Sequence, residues 1–189
     1  MSPQLRRFFR LLNRYWMVPL FRLGFGPWIC NPFSGYIMVL KTIGRRTGQV
    51  RYAPVNYAIA NGAVYFVSGG REGSDWYRNL LANPEIDVLM PSGAVRGRVE
   101  VAVDPDERLT AARQVLKAAG FAGFFEGYNP HRISDAELRE RTADLPVLRL
   151  RATGLGSGAV DPGGQGWLLS WALFAGLLWA LRPRRRTRG

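Results

Sequence analysis

Only one cysteine and one histidine, Cys30 and His131, occur among the 189 residues. One cysteine forms no intrachain disulfide, and with a single histidine it leaves a Cys/His zinc site short of ligands within one chain. A Ser/His/Asp triad has no motif to support it. Acidic residues are scarce as well: 14 Asp and Glu stand against 26 Lys and Arg, for a formal charge of +12. That balance favours an anionic partner, whether nucleic acid, anionic lipid or a phosphorylated cofactor. The N-terminal segment lacks an uninterrupted apolar core, because arginines are scattered through it, so no cleavable signal peptide is expected.

What is present is one domain's length of chain with appendages, enough to bury a core. Ser2 and Pro3 read as cap and first residue of a helix. Along it Leu5, Phe8, Phe9, Leu12 and Trp16 fall on one face, and Arg6, Arg7, Arg10 and Arg14 on the other. Such a helix suits an anionic membrane surface or docks on its own domain. The Gly/Pro-rich stretch GFGPWICNPFSG then separates it from the body.

The body alternates strand and turn. YIMVLKT and RYAPVNYAIA read as strands, and Asn61-Gly62 as a hairpin turn before AVYFVS. A short helix is expected from Asp75 to Leu81, stopped by Asn83 and Pro84. IDVLM and AVRGRVEVAV form a second hairpin, with Val95, Gly97, Val99, Val101 and Val103 on one face and Arg96, Arg98 and Glu100 on the other. Helices follow after Asp104 or Pro105 and from Asp135 to about Thr142, and PVLRLRA is the last strand. Hairpins with inserted helices predict a mainly β, α+β fold built on a small antiparallel barrel.

Four regions result: residues 1–34, a basic amphipathic helix and loop; 35–153, the barrel; 154–166, a Gly-rich linker; and 167–189, a hydrophobic helix with a basic tail. Trp167 to Leu181 is apolar except for Ser170. Its 15 residues reach about 22 Å as a helix, against a hydrocarbon core of about 30 Å. Trp167, Trp171 and Trp179, with Arg182, Arg184, Arg185, Arg186 and Arg188 beyond, have the character of interfacial anchors. Membrane association is therefore expected through this tail and the first helix, on the cytoplasmic side of the cell membrane. No nucleic-acid partner is expected, because the arginines gather at the termini and one loop rather than along a barrel face.

Two glycine loops carry the chemistry. GRRTG combines glycines, where a backbone can approach closely, with two cations, as an anion-binding turn requires. It is not a Walker loop, since it leads into a strand and lacks the terminal Lys-Ser/Thr. The second loop, GGREG, has no parallel βαβ unit around it and so is no Rossmann fingerprint. It precedes a short helix whose first turn carries Trp76 and Tyr77, aromatics able to wall a flat ring. One loop with cations and one with aromatics would suit a phosphorylated, ring-bearing redox cofactor.

GRRTGQVRYAPV, SGGREGSDWYRNLLANPE, VRGRVEV and ERTADLPVLRL, in that order over about Gly35 to Gly154, resemble the deazaflavin-dependent nitroreductase and quinone reductase family. The resemblance implies a split β-barrel of the FMN-binding type and the cofactor F420, a deazaflavin with a phosphate and an oligoglutamate chain, in preference to FMN. It assigns Thr42, Gly44, Arg45, Arg46, Thr47, Gly48 and Arg51 to the phosphate region. Ser68, Gly69, Gly70, Trp76, Tyr77 and Asn79 are assigned to the deazaflavin. Relatives often carry Lys directly after the Ser; this chain has Gly69 there and Arg71 two positions later, so Arg71 joins the cofactor set. Ser68 and Tyr128 are the expected catalytic side chains, and His131 a solvated loop residue. The implied reaction is hydride transfer from reduced F420 to a quinone, nitroaromatic or activated alkene. The competing reading is a non-catalytic split barrel holding flavin, haem or lipid. A homodimer is left open.

Overall fold

The computed structural model describes residues 3–91, 93–126, 129–156 and 166–181. Six strands, β1 (Ile37–Ile43), β2 (Val50–Ala60), β3 (Ala63–Val67), β4 (Glu85–Met90), β5 (Gly93–Val101) and β6 (Val147–Leu155), close a barrel in the order β1-β2-β3-β6-β5-β4. Every neighbouring pair is antiparallel. The protein is thus a mainly β six-stranded barrel with helices, consistent with the split-barrel architecture.

Local chemistry explains the turns. Asn61 and Gly62 take φ of 49° and 74°, the paired left-handed residues of a tight hairpin, so Ala60 and Ala63 face each other across it. Pro54 lies in the first half of β2, which pairs with β1 through Val39↔Pro54, whereas β3 joins β2 only from Tyr57 onward. A missing N–H is tolerated there because that stretch has one partner strand.

The barrel interior is filled by alternate side chains: Met38 and Leu40 from β1, Val55 and Tyr57 from β2, Phe66, Val88, Val99, and Leu148 and Leu150 from β6. Helix α4 (Asp75–Ala82) contributes Tyr77 and Leu80 to this same cluster. That helix is therefore anchored by the core, a fact that matters for the loop beside it. On the outside, α5 (Pro105–Ala118) covers the barrel through Ala111, Ala112 and Val115, packed on Tyr65, Ala102 and Val147. Asp104 caps α5 by accepting from the Asp106 and Glu107 N–H groups, and Ser134 caps α6 (Asp135–Arg141) through Glu137 N–H.

The clean alternation expected through Val103 stops early. Gly97 and Val99 are buried, but Val101 is exposed and Ala102 is buried against α5 instead. A register shift between Arg96 and Gly97 marks a bulge in the β5–β6 pairing.

The first helix reaches the GFGPWICNPFSG stretch as expected, but it is not one regular helix, and that stretch is not all loop. Helix α1 (Pro3–Leu12) passes through a π-helical turn at Asn13–Met17 into α2 (Val18–Arg22), and a further short helix, α3 (Gly26–Ile29), follows. Phe21 is buried against Val39 and Leu89 on the outer barrel face, and the Arg22 guanidinium lies 4.8 Å from the Tyr52 ring centroid. The far part stands free: Phe8, Leu11, Tyr15 and Trp16 are exposed. The last helix, α7 (Gly166–Ala180), exposes every described side chain from Trp171 to Ala180. Among the described residues no helix is long and apolar enough to cross a membrane. Tyr128, most of the Gly-rich linker and the terminal arginines lie outside the described residues.

Candidate functional site

The β1–β2 turn carries GRRTG, and the β3–α4 connection carries SGGREG. Both lie at the same end of the barrel, because β2 runs from the first turn up to Asn61-Gly62 and β3 runs back. The eleven residues of β2 place the Asn61-Gly62 turn about 35 Å from GRRTG along the strand.

GRRTG is closed by its own backbone. Gly44 N–H donates to Gln49 O at 2.8 Å, and Gly48 N–H to Gly44 O at 2.8 Å. Gly48 has φ of +66° with nothing within 4 Å of where a Cβ would stand, so it is needed for conformation and faces open space. Thr42 is fully buried, its hydroxyl donating to Arg51 O at 3.2 Å across the β1–β2 pair. Arg51 donates to Gln49 Oε1 at 3.0 Å, and Thr47 Oγ1 accepts from Gln49 N–H at 3.4 Å.

The two arginines behave differently. Arg45 turns toward α4: its backbone N–H and Nη1 both donate to Asn79 Oδ1 at 3.1 Å, and Nη1 and Nη2 both reach Asp75 Oδ1 at 3.2 Å. Arg46 is exposed and has no hydrogen-bond or ion-pair partner among the described residues.

In the second loop Ser68 is fully buried, with its hydroxyl donating to Arg71 O at 2.9 Å and lying 3.3 Å from Ser74 Oγ. It orders the loop in this form. A Cβ on Gly70 would strike Ser74 Oγ, whereas at Gly69 and Gly73 a Cβ would meet nothing within 4 Å. Arg71 pairs with Asp144 through Nε. On α4 the helical period splits the predicted aromatics. Tyr77 points into the barrel core, 7% exposed, and burial raises its hydroxyl pKa. Trp76 is half-buried with its ring centroid 6.1 Å from that of Phe66. Asp75 and Asn79, one turn apart, face GRRTG. His131 is exposed and lies over Phe124, 6.5 Å between centroids, and no described contact joins it to either loop.

The structure therefore ties GRRTG to α4, the helix that follows the second glycine loop, through Arg45, Asp75 and Asn79, three residues whose mutual role the sequence patterns do not disclose. Two surface grooves, about 320 and 570 Å³, lie elsewhere, at the Asn61-Gly62 end beside Tyr65 and Glu107. They are lined by an ion-pair network rather than by the loops. Glu107 accepts from Tyr65 and Arg149, and Glu100 from Arg149 and Arg151. Burial, and then Glu107, raise the Tyr65 pKa, while the bonds from Arg149 and then Arg151 lower that of Glu100.

An antiparallel six-stranded barrel that carries at one end an exposed loop cation, Arg46, with no partner among the described residues, is a frame that can hold an anionic ligand. Residues 24–150 match the family of F420H(2)-dependent quinone reductases, and this chain belongs to that family. It is an oxidoreductase, and its cofactor is coenzyme F420. The matched region begins after α2 and ends within β6.

Among solved structures the chain is similar to a putative 5-nitroimidazole antibiotic resistance protein from Bacteroides thetaiotaomicron VPI-5482. The identity is 14%, over 64% of this chain and 74% of that one, with a TM-score of 0.47. It is also similar to a conserved hypothetical protein from Mycobacterium tuberculosis, 18% identical over 64% and 74%, TM-score 0.48. An F420-H2 dependent reductase, 22% identical, covers 61% of this chain with 93% of its own, TM-score 0.40. Likenesses this loose assign nothing to individual residues. No curated protein matches the chain.

The residues present fit the cofactor. Arg46 supplies a cation with no competing anion among the described residues, and the open sides of Gly48, Gly69 and Gly73 admit a close approach.

Proposed function

We propose that the protein reduces a lipid-soluble quinone, or an electron-poor nitroaromatic or activated alkene, with F420 held between GRRTG and the SGGREG loop. The observation that carries this reading is the tie of GRRTG to α4, the helix that follows the SGGREG loop, by Arg45 on Asp75 and Asn79, beside Arg46, which has no partner among the described residues, within a chain of the F420H(2)-dependent quinone reductase family. When bound, F420 supplies hydride chemistry. The chain supplies position and field: Arg46 and Arg51 bind the anionic part of the cofactor, and half-buried Trp76 borders the ring. Ser68 holds the loop in shape, and Tyr128 or water provides a proton to the reduced acceptor. The excess of cations stabilises negative charge building up on an acceptor, most where they are nearest, so the acceptor gains charge in a favourable field.

The acceptor and the enzyme meet at a membrane. Exposed Phe8, Leu11, Tyr15 and Trp16 on the first helix, with Arg7 and Arg14 also exposed, support this, as do the exposed apolar side chains of α7 from Trp171 to Ala180. The site of action is the cytoplasmic face. A titration of the purified protein with F420 and FMN side by side, followed by mixing the F420H2 complex with a quinone, tests the reading. F420 is expected to bind more tightly and its reduced form to be oxidised by quinone; tighter FMN binding, or no oxidation by any acceptor class, overturns it in favour of another cofactor or of a non-catalytic binder.

A further inference from the structure

Arg45 and Arg46 are adjacent in a basic loop, and composition gives them the same role. Their surroundings do not. The Arg45 side chain is 22% exposed and already neutralised by Asp75, with both Nη atoms on one carboxylate oxygen. Asn79, 5% exposed, holds the same residue twice, by its backbone N–H and by Nη1. Moving the Arg45 side chain onto an incoming anion would break an ion pair and leave the buried Asn79 amide oxygen with the Arg45 backbone N–H alone, a loss that opposes the move.

From this geometry we propose that Arg45 is a positioning residue. It is a strut that fixes GRRTG against α4, leaving Arg46 as the loop's contact for the anionic part of the cofactor. Because α4 is itself seated in the core by Tyr77 and Leu80, the strut sets the position of the anion loop from the barrel interior. Asp75 and Asn79 project from one helical face at i and i+4, which lets a single guanidinium and its own peptide N–H span both. The inference rests on F420 binding at these loops, and it reassigns Asn79 from the deazaflavin to the strut.

The test is a double-mutant cycle on F420 affinity in the full-length chain, read together with tryptic cleavage of GRRTG in the absence of cofactor. Asn79→Ala and Arg45→Ala should each weaken binding by about tenfold, and the double variant should be no weaker than the worse single one, as for groups acting as a unit. Arg46→Ala combined with either should add its own full loss. Asn79→Ala should also be cut faster by trypsin than the parent, although both arginine cleavage sites remain in each.

Asn79 is buried, so Asp75→Asn, at an exposed position, provides a variant that does not disturb the interior. It should weaken F420 binding although it makes the site more positive. Tighter binding by Asp75→Asn, or additive losses for Arg45→Ala and Asn79→Ala, would overturn the strut and make Arg45 a direct anion contact. If the parent binds no F420, the cofactor reading of these loops fails on its own. The strut then stands if Asn79→Ala is cut faster and falls if cleavage is unchanged.

Discussion

Arg71 keeps a left-handed backbone, φ 54°, while its guanidinium pairs with Asp144 in the connection between α6 and β6. The pairing ties the second glycine loop to the segment that leads into the closing strand, where Ser68 N–H also donates to Pro146 O at 3.0 Å. A non-glycine residue in this conformation costs about 1 kcal/mol or more. The ion pair offsets only part of that, because with side chains 63% and 56% exposed it is worth roughly 0–1 kcal/mol. Arg71→Gly should therefore leave stability within about 1 kcal/mol of the parent, whereas Arg71→Val should lose about 1–2 kcal/mol. Denaturant unfolding measures both. A loss above about 2 kcal/mol for Arg71→Gly would show that the ion pair, not the backbone, dominates the loop.

A second contrast concerns two glycines of like conformation. Gly120 has φ of +57°, and a Cβ there would strike Phe33 O and stand 2.5 Å from Gly35 N. Gly62 has φ of +74° but open space around it. At Gly120 two backbone segments meet, joined by Phe121 N–H to Phe33 O at 2.9 Å and Tyr36 N–H to Ala118 O at 2.8 Å. Alanine at Gly62 should cost about 1 kcal/mol from conformation alone, and at Gly120 more than about 2 kcal/mol, because the contact is with backbone that has no rotamer to yield. Equal unfolding midpoints for the two variants would contradict the close approach.

The strands, the Asn61-Gly62 turn and the capped starts of α5 and α6 were legible in the sequence because each rests on a few adjacent residues. Closure was less so: β3 meets β6 across more than 80 positions, through pairs such as Val64↔Leu150, and no local pattern encodes that pairing. The two glycine loops were visible as parts, but the tie of GRRTG to α4 was not, since Arg45 and Asn79 lie 34 residues apart. Tyr77 shows the limit most plainly. A first-turn aromatic beside Trp76 suggested a ring wall, yet a helix turns about 100° per residue, and once α4 docks, Tyr77 must follow Leu80 into the core.

Acid should expose the Glu100 network. The bonds from Arg149 and then Arg151 hold the Glu100 carboxyl below its ordinary value. A folded-state pKa below the unfolded one contributes stability that is complete above the ordinary carboxylate value, about 4.3, and is lost as pH falls through the depressed folded value. Glu100→Gln should therefore lower Tm at neutral pH, and the gap to the parent should close below pH about 4 as the parent's carboxylate takes up its proton. Thermal melts from pH 7 down to pH 3 test this, and a gap that stays constant throughout would mean that Glu100 acts by packing rather than by charge.

The topology of α7 sets length against charge. Its 15 residues carry no polar side chain except Ser170, and the described ones are exposed all round, so the helix has no wet face on which to lie. It calls for apolar surroundings on every side, yet its length of about 22 Å falls short of the roughly 30 Å of hydrocarbon in a bilayer. A full crossing with the barrel inside the cell would also carry RPRRRTRG to the outside, against the tendency of basic segments to stay in. On the proposed membrane location, insertion into one leaflet is the arrangement expected to satisfy both constraints, and it would keep the basic stretch RPRRRTRG on the cytoplasmic side. Deleting residues 155–189 should release much of the protein from membranes while sparing F420 binding. With Gly189→Cys in intact cells, an impermeant thiol reagent should label no more than in the parent, which retains only half-buried Cys30, and labelling should appear after permeabilisation. Strong labelling from outside would establish a true span, with the bilayer thinned around a short helix.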